Sequence, residues 1–131
     1  MCLFCDIVEG KIPSSRVYED DLCVAFLDIA QATKGHTLVV PKQHFDNILQ
    51  CDQETLKHLI CVTQKLAAQL IEKLQANGCN ILVNTNEAAG QTIKHLHFHI
   101  IPRYDGSDGI SIEFRSGETP DLQAIQDQIT K

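Results

Sequence analysis

Residues 95–101, His95-Leu96-His97-Phe98-His99-Ile100-Ile101, alternate between imidazole and apolar side chains until the final pair. A period of two marks a half-buried strand, because successive side chains leave a strand on opposite faces. Leu96, Phe98 and Ile100 are therefore predicted to face a core. His95, His97 and His99 share the other face, and Pro102 is predicted to end the strand, since proline cannot donate to a central ladder. Alternate positions on one face lie ~6.8 Å apart. Two neighbouring imidazoles can meet at one ion, but the outer pair, roughly 13–14 Å apart at the backbone, cannot join them without a bend. A single three-histidine metal site is disfavoured on that ground. The spacing suits a division of labour, in which one histidine is nucleophile or base and its neighbours orient it, ligate something else or meet a leaving group. Neutral imidazole is available near pH 7 and attacks phosphorus to form a covalent intermediate. Just upstream, Gly90 permits close backbone approach, and Gln91 and Thr92 offer side-chain donors to a phosphate.

The remainder of the chain reads as one α+β domain spanning residues 1–131. Residues 6–11 suggest a short helical turn ended by Gly10 and Pro13. Residues 16–19 and 22–27 read as strands joined at Asp20-Asp21, and 36–40 as a third strand closed by Pro41. A brief helix is predicted over 44–49. From Asp52, a reasonable N-cap, apolar residues recur at Leu56, Leu59, Ile60, Leu66, Ala67, Leu70, Ile71 and Leu74, the stripe of a long amphipathic helix. Asn77-Gly78 is predicted to supply its left-handed stop, and His58 to face solvent. Residues 80–84 form another strand before the histidine strand, and 110–114 an edge strand. Thr119-Pro120-Asp121 reads as the start of a last short helix. The order predicts an antiparallel sheet of about five strands, one long helix and short flanking helices.

Charge and cysteine usage narrow the function classes. With 11 basic residues against 17 acidic and a net charge of −6, a broad nucleic-acid or anionic-membrane footprint is not expected. No apolar run approaches the roughly 20 residues that span a bilayer, and no signal-like segment opens the chain, so a cytoplasmic protein with reduced thiols is expected. Cys23, Cys51, Cys61 and Cys79 read as small buried hydrophobes. Cys2-x-x-Cys5 is different, being the shortest chelating cysteine spacing, although it supplies only two of the usual four zinc ligands.

The motif His-φ-His-φ-His-φ-φ at 95–101 resembles the signature of the histidine triad (HIT) family of nucleotide hydrolases and transferases. The resemblance extends to Gly90-Gln91-Thr92, to residues 35–42 (Gly-His-Thr-Leu-Val-Val-Pro-Lys) and to Phe26-Leu27-Asp28-Ile29, and covers roughly residues 2–105. It implies that His97 is the nucleophile toward the α-phosphorus of a nucleotide conjugate, with a nucleotidyl-histidine intermediate that water then hydrolyses. It implies too that His99 lies beside the scissile phosphate and that His36 supports it. Gln91 and Thr92, following Gly90, would hold phosphate oxygens or the leaving group, Asn84 would line the same pocket, and Asp28 would bond the ribose hydroxyls, with Leu27 and Ile29 beside the nucleoside. Members are typically homodimers with one sheet continued across the interface, and the expected partner is a purine nucleotide or nucleotide conjugate.

Bacterial-type members complete the cysteine pair with two histidines at the positions of His44 and His95. A Cys2, Cys5, His44, His95 set would be closed, so its one zinc per chain would be structural. The leading expectation is a phosphoramidase or related hydrolase acting through His97. Alternatives are a dinucleoside polyphosphate hydrolase of the same family, a metal-dependent hydrolase in which two triad histidines and a carboxylate hold a catalytic ion, and a nucleotide-sensing protein with little catalysis.

Overall fold

The computed structural model describes residues 2–118 and 120–131. A short helix α1 (Leu3–Val8) precedes strands β1 (Arg16–Glu19), β2 (Cys23–Leu27) and β3 (Thr37–Pro41). A 3-10 turn at Ile48–Gln50 leads to the long helix α2 (Gln53–Leu74), then β4 (Gly78–Leu82), β5 (Phe98–Arg103) and α3 (Leu122–Thr130). The strands form one antiparallel sheet in the order β1-β2-β3-β5-β4. β2 and β3 are apolar at nearly every position and are buried on both faces, which follows from having helices on either side of the sheet.

The two sides differ. On one, α2 lays Leu59, Val62, Leu66 and Ala67 against Cys23, Ala25, Val39, Leu96, Phe98 and Ile100. On the other, Val24, Phe26, Leu38 and Val40 are covered by Phe4 and Ile7 of α1, a helix of 6 residues. The apolar members of the histidine segment thus join the α2 core as the period-two pattern predicts. Their histidine neighbours turn to the α1 side, where the Phe4 ring meets His95 and His97 edge-on at 5.9 and 4.9 Å between centroids.

Several local expectations are corrected. Ladder pairing in β5 begins at Phe98, so His95 and His97 stand just ahead of the strand, and Pro102 lies inside it. Pro102 is tolerated because β3 pairs only as far as Ile100, and its carbonyl, pointing past that end, accepts from Thr33 Oγ1 at 2.5 Å. α1 is capped by Cys2 and starts at Leu3. The predicted helix over 44–49 reduces to the 3-10 turn. Helix α2 begins at its Asp52 cap as expected but stops at Gln75, itself left-handed at φ 57°, because Gly78 is needed in register opposite Arg103. Residues 110–114 are not in a strand. α3 is capped by Asp121, while the expected Thr119 cap lies outside the described residues. Among the other cysteines only Cys23 is buried, and Cys61 is exposed.

Candidate active site and thiol–imidazole cluster

Each histidine of the row has one ring nitrogen committed to the protein, and that commitment fixes what the other can do. His97 Nδ1 lies 2.7 Å from the His95 carbonyl oxygen, which can only accept. Nδ1 therefore carries the proton, and Nε2 is left with its lone pair. Burial, opposed by the His95 carbonyl and by Asp28, lowers the His97 pKa, so the ring is neutral near pH 7.

A second relay runs behind it. The Ala32 amide donates to His36 Nδ1 at 3.2 Å, placing the His36 proton on Nε2, 3.0 Å from His99 Nδ1. His99 then accepts at Nδ1 and presents an N–H at Nε2. Burial, together with the neighbouring His97 and His36, pushes the His99 pKa down to about 4, Asp28 opposing. Burial also lowers His36, against the pull of Asp28, whose Oδ2 lies 3.7 Å from His36 Nε2. Asp28, His36 and His99 are close enough to suggest a metal triad. The amide donated into His36 Nδ1 instead assigns its Nε2 a proton that goes to His99, and Asp28 stands beside this hydrogen-bonded pair as a charge, too far for a hydrogen bond. The arrangement thus pairs a lone-pair nitrogen with a neighbouring donor, the complement needed for attack at a centre whose oxygens gain charge.

The two imidazoles open onto a cleft of about 380 Å³ with mostly apolar walls. Leu27, Asp28, Ile29 and Thr92 of the expected binding residues line it, together with Phe4, Ile12 and Phe26. Gly90, Gln91 and Asn84 do not. Gly90, at φ 95°, closes a 3-10 turn at Glu87–Ala89 and accepts weakly from Asn84 Nδ2 at 3.5 Å. The Gln91 side chain is engaged at both ends. Its Nε2 donates to the carbonyls of Asp46 and Ile93, at 2.6 and 3.0 Å, and its Oε1 accepts from the Asn86 amide at 2.8 Å. Gln91 and Asn84 shape the loop and leave Thr92 to face the cleft.

At the near end of the row, Cys2, Cys5, His44 and His95 bring their ligand atoms together. Cys2 Sγ is 3.0 Å from Cys5 Sγ and 3.2 Å from His95 Nδ1, and Cys5 Sγ is 3.3 Å from His44 Nδ1. The edges of a zinc-centred tetrahedron with sulfur and nitrogen ligands are roughly 3.3–3.8 Å, so the donor set fits that ion in chemistry and in scale. The outer ring nitrogens are held as metal-ligating histidines require. His95 Nε2 donates to the Pro41 carbonyl at 2.9 Å, and His44 Nε2 meets Asp46 Oδ1 at 2.8 Å.

Some participants carried no signal in the sequence. Phe4 packs on the nucleophile candidate, and Ala32, Pro41 and Asp46 act through backbone atoms or as second partners, which a motif does not register. His58, expected in solvent, is half-buried and bonds Asp20 Oδ2 at 2.6 Å on the α2 side of the sheet, away from the row.

The fold and the site define a five-stranded α+β protein with a row of neutral histidines over a cleft, anchored beside a Cys2His2 cluster. A model described as the HIT domain matches residues 9–106, and the chain belongs to the HIT family. It is similar to a crystal structure of a HIT family member from Bacillus subtilis, with 43% identity and a TM-score of 0.90, covering 98% of this chain and 94% of that one. A zinc-bound histidine triad family protein from Mycobacterium smegmatis is 38% identical with a TM-score of 0.78, covering 98% and 94%. A histidine triad nucleotide-binding protein from Candida albicans is 29% identical with a TM-score of 0.85, covering 98% and 92%.

Proposed function

We propose that the protein hydrolyses nucleoside 5′-phosphate conjugates, phosphoramidates foremost, through a nucleotidyl-histidine intermediate on His97. The observation that carries the reading is the hydrogen bond from His97 Nδ1 to the His95 carbonyl, which leaves Nε2 as a lone-pair nitrogen at the cleft. The nucleoside lies between Leu27 and Ile29 against the apolar walls, a purine being the base that uses them best. Asp28 accepts from the ribose hydroxyls. Phosphate oxygens meet the His99 Nε2–H, the Thr92 hydroxyl and the loop that Gly90, Gln91 and Asn84 hold in shape, while His36 keeps His99 in its donor tautomer.

Nε2 of His97 forms a bond to the α-phosphorus as the phosphorus–nitrogen bond breaks, its electron pair leaving with an amine that takes a proton from solvent. The phosphorylated imidazole is cationic, and the His95 carbonyl stabilises it through the Nδ1 proton. Water then attacks phosphorus from the side the amine vacated. The pair of the departing bond returns to Nε2, and a proton is lost to solvent.

Cys2, Cys5, His44 and His95 would hold one zinc ion, and with four protein ligands it would serve as a structural tie. The zinc-bound relative from Mycobacterium smegmatis supports this, as the nucleotide-binding relative from Candida albicans supports the ligand class. Two chains pair through β4, the edge strand next to β5, to form a homodimer. No helix among the described residues is long and apolar enough to cross a membrane, consistent with the proposed cytoplasmic location.

The test is to incubate wild type and His97→Ala with an adenosine phosphoramidate and a dinucleoside polyphosphate side by side. The wild type is expected to cleave the phosphoramidate faster, and His97→Ala to lose at least ~10⁴-fold in kcat with no labelled adduct on acid quench. A preference for the polyphosphate moves the protein to the other hydrolase class. Binding of mononucleotide without cleavage of either substrate leaves a sensing protein.

A further inference from the structure

The cysteine pair sits where chemistry at sulfur would reach the nucleophile. Cys2 and Cys5 hold their sulfurs 3.0 Å apart, about 1 Å from the ~2.04 Å of a covalent S–S bond. Both are partly exposed, and they open, with His44, Asp46 and Lys94, on a surface cleft of about 460 Å³. Two routes run inward from the pair. In the first, both sulfurs face His95 Nδ1, at 3.2 and 3.5 Å, and the carbonyl of His95 accepts the His97 Nδ1 proton. In the second, Phe4 occupies the same helical turn as the two cysteines, is buried, and packs its ring at 83° against His97.

We propose that Cys2 and Cys5 form a site of thiol–disulfide modification, and that their oxidation by a small anionic disulfide ejects the metal and switches the His97 centre off. One thiolate attacks a sulfur of the incoming disulfide, whose S–S bond breaks and sends its electron pair out on the first thiol. The second thiolate attacks the mixed disulfide and expels the second thiol, closing Cys2–Cys5. Two electrons pass from the pair to the oxidant, and solvent supplies the protons taken up by the two thiols released. A disulfide no longer offers thiolate ligands, so two of the four donors are lost and the two imidazoles alone do not hold zinc. His95 then keeps only its bond to Pro41, and the turn carrying Phe4 moves to bring the sulfurs together. Lys94 on the rim of the cleft supplies the positive charge that favours an anionic oxidant in an otherwise acidic protein.

The inference rests on the zinc reading, and one experiment separates the two. The zinc-loaded full chain is treated with glutathione disulfide and followed by intact and peptide mass, by zinc release to a chromogenic chelator, and by phosphoramidate cleavage. The expected result is a loss of 2 Da mapped to a Cys2–Cys5 disulfide, release of the zinc in step with it, and a fall of about tenfold or more in kcat/KM. Dithiothreitol with added zinc should reverse all three. Lys94→Glu, which reverses the charge on the rim of the cleft, is expected to slow oxidation by glutathione disulfide but not by a neutral disulfide. A protein that binds no zinc before treatment defeats the zinc reading. Zinc retained while other cysteines take up glutathione overturns the inference, as does a Cys2–Cys5 disulfide with undiminished activity.

Discussion

At the scale of single residues, the outer ring nitrogen of each histidine decides its role, and the same rule exposes a purely structural pair. Asp20 receives Tyr18 Oη at 2.7 Å, the amides of Leu22 and Cys23 at 2.8 and 2.9 Å, and His58 Nε2 at 2.6 Å. Burial pushes its carboxyl pKa up, but these bonds outweigh it and hold the group well below the usual carboxylate range. A depressed folded-state pKa means the stabilisation is complete above the unfolded value of ~3.9 and is lost as pH falls below it. Asp20→Asn is therefore expected to cost ~1–3 kcal/mol near pH 7 in urea unfolding. The difference from wild type should shrink steadily below about pH 4, and an offset that stays constant with pH would show that the charge is not what stabilises. The Asp20-Asp21 turn was legible from residue type, whereas the His58 contact joins residues 38 apart and depends on where α2 crosses the sheet. Likewise the alternation at 95–101 foretold which side chains share a face, but not that His97 bonds the His95 carbonyl.

Among the elements, α2 shows why boundaries are harder to read than faces. Its buried stripe follows from 3.6-residue periodicity alone. Its end does not, because three demands compete downstream. Gly78 pairs with Arg103, the Asn77 amide donates to the Arg103 carbonyl at 2.9 Å, and Asn77 Nδ2 donates to the Tyr104 carbonyl at 2.7 Å. With Asn77 and Gly78 committed to the sheet, the left-handed turn falls on Gln75, whose Cβ makes φ 57° unfavourable. Gln75→Gly should relieve that strain and raise stability by ~0.5–1 kcal/mol, net of the greater entropy glycine adds to the unfolded chain. Gln75→Ala is the control, since alanine keeps the Cβ and gains none of this. Equal unfolding midpoints for the glycine and alanine variants would assign the turn no strain. The weakly patterned segment at 110–114 pairs with neither edge of the sheet, β1 or β4, and Ile112 and Phe114 stay exposed, so it buries no face that would hold it as a strand.

Over the whole molecule, the sheet is covered unequally. A helix of 22 residues backs one face, while the face that carries the histidine row is closed by α1, 6 residues long. A helix of that length has no stability of its own in water. Phe4 and Ile7 give α1 a packed side, and the Cys2–Cys5–His44–His95 cluster gives it a fixed end. Since Phe4 also forms a wall of the cleft, anything that frees α1 both opens the second core and disturbs the site, while the α2 core is left intact. Removing zinc with a strong chelator is therefore expected to act locally. Hydrogen exchange of the amides of α1 and of residues 95–97 should accelerate by about tenfold or more, equivalent to ~1.4 kcal/mol of lost opening free energy. The amides of α2 and of the β2–β3 pair should keep their protection. Phosphoramidate turnover should fall only as far as the local loosening disturbs the cleft and should not be abolished, since a closed four-ligand site takes no part in the chemistry itself. Unchanged α1 protection after the metal is removed would mean that Phe4 and Ile7 alone hold the helix down. Loss of protection across the whole sheet would mean that the two cores unfold as one unit, and that the cluster stabilises the entire domain.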